Sequence, residues 1–203
     1  MPAIEFDTQR LRLRQWRRAD HAPLADLNAD PKVMEYFPAT QDRKASEAAA
    51  ENWHSQLAER GWGLWAVERR DTSEFIGFVG LQTSTGPLPF LPCVEVGWRL
   101  AAAHWGNGFA SEAAAAALQV GFERVEMPEI VSFTAVINRK SRAVMTRIGM
   151  RDTGLTFQHP QVPVKNRLRQ HCLYLLSREQ WCELPGRSVI EPALQGVMKS
   201  ASG

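Results

Sequence analysis

Val94 to Val120 reads VEVGWRL-AAAHW-GNGFA-SEAAAAALQV. VEVGWRL is a short run with valines at alternate positions, and it predicts a strand. Gly106 and Gly108 mark a tight turn. Beyond the turn, Ala114, Leu118, Phe122 and Val125 recur at helical spacing and predict a helix over Ala110–Val125. The first N–H groups of such a helix have no intrahelical partner, and its dipole adds partial positive charge there. Glycines lack a Cβ, so an anion can approach those amides closely. The turn can cradle a diphosphate; it can equally be a turn that only needs two glycines. Two rival phosphate motifs are missing. No Gly-Lys pair exists for a P-loop. Ser111 stands where a dinucleotide fingerprint needs its third glycine.

Upstream, RLRLRQW (10–16) alternates leucine with arginine and predicts a half-buried strand, its arginines on one face. Asp20–Asn28 carries Leu24 and Leu27 at helical spacing and ends at Asp30-Pro31. A second helix starts after Thr40 or Asp42, with Ala45, Ala49, Trp53 and Leu57 on one face. GLWAVE (63–68) and FIGFVGL (75–81) predict an antiparallel pair of strands. Residues 84–93, with three prolines, predict an irregular loop. Downstream, Ile130–Ile137 predicts a buried strand, and Ser141 an N-cap for the helix SRAVMTRIGM. Two more strands are expected near Asp152–Gln158 and His171–Leu176. The order β α α β β β α β α β β gives a mixed α/β sheet flanked by helices. One domain over residues 1–184 is expected, with a loosely attached tail at 185–203.

Composition sets outer limits. The 203 residues suit one domain, with 44% hydrophobic and 23% charged residues. With 24 basic and 22 acidic residues, the net charge is +2. Nucleic-acid binding normally needs a larger basic excess. Three cysteines without a C-x-x-C pair fit a reduced, cytoplasmic compartment. The five histidines show no metal-site spacing. No apolar run approaches the ~20 residues that span a bilayer.

Several pieces together resemble the GNAT superfamily of N-acetyltransferases, in its RimJ/RimL branch. They are TQRLRLRQW, FIGFVGL, VEVGWRLAAAHWGNGFASEAA, NRKSRAVMTRIGM and LYLLSREQW, in the family's order over about residues 7–181. The family turn often begins with Gln or Arg, where this chain has Trp105. The resemblance implies a mixed sheet of six or seven strands splayed between the fourth and fifth, with about four helices. It implies acetyl-CoA as co-substrate and no metal. The backbone of Trp98, Arg99 and Leu100 is then expected to pair with the pantetheine arm. Amides from Gly106, Asn107, Gly108, Phe109, Ala110 and Ser111 are expected to hold the diphosphate. Asn138 and Ser141 are expected beside the pantetheine.

Acetyl transfer to an amine needs a positioned acceptor, a base and a proton for the departing thiolate. Glu95 is the candidate base: if Val94 and Val96 pack inward, it faces the opposite side. A surface glutamate or a partner for an N-terminal arginine is the alternative. Ser141 and Tyr174 are the candidates for the thiolate. Trp62 and Trp65 are candidate walls of the acceptor pocket, together with the first two helices, loop 84–93 and segment 157–168. The expected acceptor is a primary amine, on a small molecule or a protein N-terminus, and the chain is expected as monomer or homodimer. A non-catalytic acyl-CoA sensor is the competing function.

Overall fold

The computed structural model describes residues 3–84 and 87–191. Eight strands form one sheet. They are β1 (Phe6–Asp7), β2 (Leu11–Arg14), β3 (Leu64–Arg69), β4 (Phe75–Ser84), β5 (Cys93–Leu100), β6 (Glu129–Ala135), β7 (Arg151–Gln158) and β8 (Gln170–Ser177). Their order is β1-β2-β3-β4-β5-β6-β8-β7. Every neighbouring pair is antiparallel except β5 and β6. Five helices join them: α1 (His21–Ala29), α2 (Arg43–Arg60), α3 (Phe109–Gln119), α4 (Arg139–Arg147) and α5 (Arg178–Glu183). The mixed α/β architecture is the expected one. The additional strand β1 has two residues, too few to show an alternation, and α5 is a single capped turn and a half.

The sheet's pleat sorts residues to two faces. Phe78 meets Trp53 of α2, ring centroids 4.6 Å apart, so even-numbered residues of β4 face α1 and α2. Val79 and Leu81 point the other way, toward α3. Ala113, Ala114, Ala116 and Ala117 are fully buried, and their small side chains bring α3 close onto the sheet. The helix expected to run to Val125 changes pitch at Val120, where a π-turn spans Val120–Arg124. Trp65, expected near the acceptor pocket, is fully buried core: its indole N–H donates to the Ile4 carbonyl at 2.7 Å. Trp62 is partly buried against the same core.

The N-terminal arginines divide. Arg12 is exposed and pairs with Asp7. Arg14 is buried, with Asp20 at 2.7 Å and Glu68 at 2.7 Å. Its charge enters the interior because two carboxylates meet it there. The C-terminal stretch from Pro185 to Glu191 lies along the molecule. Gln119 Oε1 accepts from the amides of Val189 and Ile190, Ile190 bridges Thr8, and Glu191 pairs with Arg70 at 2.8 Å. The remainder of the expected tail, 192–203, lies outside the described residues.

Candidate active site

β5 pairs with β4 along its whole length, from Cys93 to Leu100. Its other edge meets β6 at a single position, Glu95 opposite Val131. Just beyond, the Ser132 hydroxyl donates to the Val96 carbonyl at 2.9 Å. The two parallel strands then part, as expected between the fourth and fifth of the longer strands. The gap is a cleft of about 720 Å³, walled by β5, β6, the glycine turn and α4. Trp98, Arg99 and Leu100 all line it. Backbone groups on that edge lack a ladder partner, and such groups call for one.

The turn follows at the cleft mouth. Gly106 and Gly108 both have φ of +82°, the left-handed region that side chains disfavour. Gly108 directly precedes α3. The backbone N–H groups from Gly106 to Ser111 have no acceptor among the described residues. Other groups fix the turn from outside. Asn107 Nδ2 donates to the carbonyls of His104 and Trp105, each at 3.2 Å, and Arg10 donates to the Asn107 carbonyl at 2.9 Å. The Trp105 indole N–H donates to the Leu100 carbonyl at 2.8 Å. An aromatic residue in place of Gln or Arg therefore ties the turn to the end of β5. Phe109 is mostly buried, with Arg10 stacked 4.7 Å from its ring. Ala110 and Ser111 line the cleft.

Two cations on α4 face the turn. Arg147 donates to Ser111 Oγ at 3.1 Å, and the Lys140 ammonium lies 4.5 Å from the Trp105 ring centre. Neither was among the residues expected at the site. Their spacing of seven residues, two helical turns, is the signal that puts them on one face.

Glu95 is on the α1/α2 face of β5, between Val94 and Val96, and lines the cleft. The Ser84 hydroxyl donates to its carboxylate at 2.8 Å, and the Gln82 amide donates to its other oxygen. Burial raises its pKa above the usual carboxylate value, and those two donors pull in the opposite direction. Among the described residues it meets no arginine. A second hollow of about 320 Å³ shares Glu95 with Pro87 and Leu88 of the proline-rich loop and with His159, Pro160 and Gln161. The loop and the 157–168 segment thus reach the same carboxylate.

Asn138, not Ser141, caps α4: its Oδ1 accepts from the Ser141 amide at 3.1 Å, while its Nδ2 donates to Thr134 Oγ1 at 3.0 Å. The correction has a plain cause, since the helix begins two residues before the serine. Ser141 lines the cleft, and its hydroxyl has no partner among the described residues. Tyr174 is placed differently. It is buried on β8 beneath α4, its hydroxyl accepts from Arg142 at 3.4 Å, and it does not line the cleft. His159 and His171 do line it, with ring centres 4.7 Å apart. Desolvation lowers both, His171 to about 4, so both are neutral near pH 7. They lie twelve residues apart, with no local pattern to announce the pair.

Comparison with known proteins agrees with this geometry. A family model for the acetyltransferase (GNAT) domain matches residues 10–151. The chain is 35% identical over 146 residues to YkkB of Bacillus subtilis (strain 168), covering 70% of this chain and 83% of that one. It is 27% identical over 168 residues to the FsC-acetyl coenzyme A-N(2)-transacetylase of Aspergillus fumigatus, covering 78% and 69%. A solved GNAT-family acetyltransferase from Bacillus anthracis shares the fold with a TM-score of 0.73 at 22% identity, covering 87% and 99%. The chain belongs to the GNAT acetyltransferase family, in its RimJ/RimL-like branch. Members of this family use acetyl-CoA and act on amine acceptors. No helix among the described residues is long and apolar enough to cross a membrane.

Proposed function

We propose that this chain is a cytoplasmic enzyme that transfers the acetyl group of acetyl-CoA directly to a primary amine, both substrates being bound at once. The observation that carries this is a continuous cleft. It joins six open amides, an unpaired strand edge and a buried carboxylate.

Acetyl-CoA supplies an activated thioester, and the chain's own residues fit it. The amides of Gly106–Ser111 receive the diphosphate at the start of α3, with Lys140 and Arg147 adding positive charge. The edge of β5 from Trp98 to Leu100 receives the pantetheine arm as a strand receives a neighbour. Asn138 stands across the cleft and keeps one amide hydrogen free. Glu95 takes the proton of the incoming ammonium, directly or through a water, so that a neutral amine can attack. A backbone N–H near Trp98 polarises the carbonyl. The Ser141 hydroxyl donates to the departing thiolate. Ser141 lines the cleft and Tyr174 does not, which favours the serine for that role.

The test is thiol release from acetyl-CoA with a panel of primary amines, alongside thermal melting with CoA, acetyl-CoA and ATP. Stabilisation by the two CoA species and amine-dependent release are expected. Stabilisation without release for any amine would leave a sensor and overturn the enzyme. Stabilisation by ATP alone would overturn the donor as well.

A further inference from the structure

Among the described residues, Arg14 is buried and Arg99 is half-buried, and they differ in how their charge is met. Arg14 meets Asp20 and Glu68. Arg99 has no carboxylate partner among the described residues. Its Nη1 donates to Asn28 Oδ1 at 2.6 Å. Its Nε is fully buried and without a partner. Phe37 covers the guanidinium at 4.1 Å, and Phe78 flanks it at 5.2 Å. Desolvation lowers its pKa to about 10, so it remains a cation at neutral pH. A partly buried, uncompensated cation is costly, and neutral partners recover only part of the lost hydration.

The surroundings identify what can complete it. Arg99 lines the cleft. Glu95 and Arg99 are four residues apart on β5, hence on the same face, with Cα atoms separated by about 13 Å. Between them lies Gly97, and a Cβ built there would meet nothing within 4 Å. Base, open floor and cation therefore lie in a line along one strand. Glu95 is the only acidic residue among the described residues lining the cleft, against Arg99, Lys140 and Arg147. Lys140 and Arg147 serve the turn at the other end.

The geometry points to an acceptor that carries a carboxylate at the end remote from its amine: the amine sits at Glu95, the chain crosses Gly97, and the carboxylate pairs with Arg99. This rests on the acetyl-transfer function proposed above. An ω-amino acid or a short peptide offers the same pair of groups, and both belong in the test.

Thiol release is measured with ω-amino carboxylates from 4-aminobutanoate to 8-aminooctanoate, each against its own carboxamide. Triglycine and triglycine amide form the peptide arm. At the best length the carboxylate is expected to exceed its amide in kcat/KM by at least about tenfold, the scale of a charge-assisted hydrogen bond. In Arg99→Met that ratio is expected to fall to near one. Asn28→Asp keeps the side chain's size and gives Arg99 an internal counter-ion. It is expected to abolish the same preference, and it keeps the test open if Arg99→Met fails to fold. Equal use of acids and amides at every length by the unaltered protein, or a preference that survives either substitution, overturns the inference and leaves acetyl transfer standing. Absence of release with every acceptor, amides included, overturns acetyl transfer. Calorimetry of N-acetyl-6-aminohexanoate and its amide on the CoA-bound protein then reads the Arg99 site alone. Equal binding of the two, or none, overturns it.

Discussion

Glu95 lies under opposing influences. Burial disfavours its charge, whereas Ser84 and Gln82 donate to the ionised form, and burial dominates. A base must be deprotonated to act. Turnover should therefore rise with pH through a value above the ordinary carboxylate range and level off beyond it. Glu95→Gln should lower kcat by about 10²-fold and remove that rise. A pH–rate profile of the two proteins decides the matter, and an unchanged limb in the variant excludes Glu95 as base. This residue was legible in the sequence because VEV alternates, and alternation on a strand is geometry. Arg99 was legible only as backbone. The role of its side chain depends on Asn28 and Phe37, about seventy and sixty positions away, and no local pattern encodes that meeting. Arg14 shows a similar limit: RLRLR predicts an outward arginine, and Asp20, six positions on, together with the distant Glu68 draws it in.

At the scale of the element, α4 shows how a cap places a side chain. Asn138 holds the Ser141 amide, and Ser141 thereby faces the cleft. Asn138→Ala should cost about 1 kcal/mol of stability. For a chain of this size that lowers the melting temperature by about 2–4 °C. If Ser141 serves the departing thiolate, kcat should fall as well. A variant that melts lower with kcat intact would separate the cap from the chemistry. Most elements were readable from apolar periodicity and from turn residues. The cap expected at Ser141 falls three positions earlier because Asn138 also has a good capping side chain and stands where the helix begins. The π-turn at Val120–Arg124 was hidden because Phe122 and Val125 keep an apolar spacing that an unbroken helix would also produce.

Across the whole molecule, distant segments close on one another. Thr8 and Arg10 donate to Glu112 in the first turn of α3, fastening the N-terminal strands beside the glycine turn. Pro185–Glu191 adds a second fastening through Gln119, Thr8 and Asp7. A chain ended after Leu184 loses those hydrogen bonds and the Arg70–Glu191 pair. It should melt lower by a few degrees, the equivalent of about 1–2 kcal/mol. A melting temperature equal to that of the full chain would show that the segment adds nothing. The sequence could not announce this docking, because prolines and glycines predict the absence of regular structure and not the absence of contact.

The single rung between β5 and β6 has a bearing on solubility. A sheet edge with unpaired amides and carbonyls is a template for other chains, and proteins that expose one invite aggregation. Here the free edge runs along the floor of a cleft instead of the molecule's rim. The splay opens these backbone groups into the cleft and not along the outer margin of the sheet, where a neighbouring chain would meet them first.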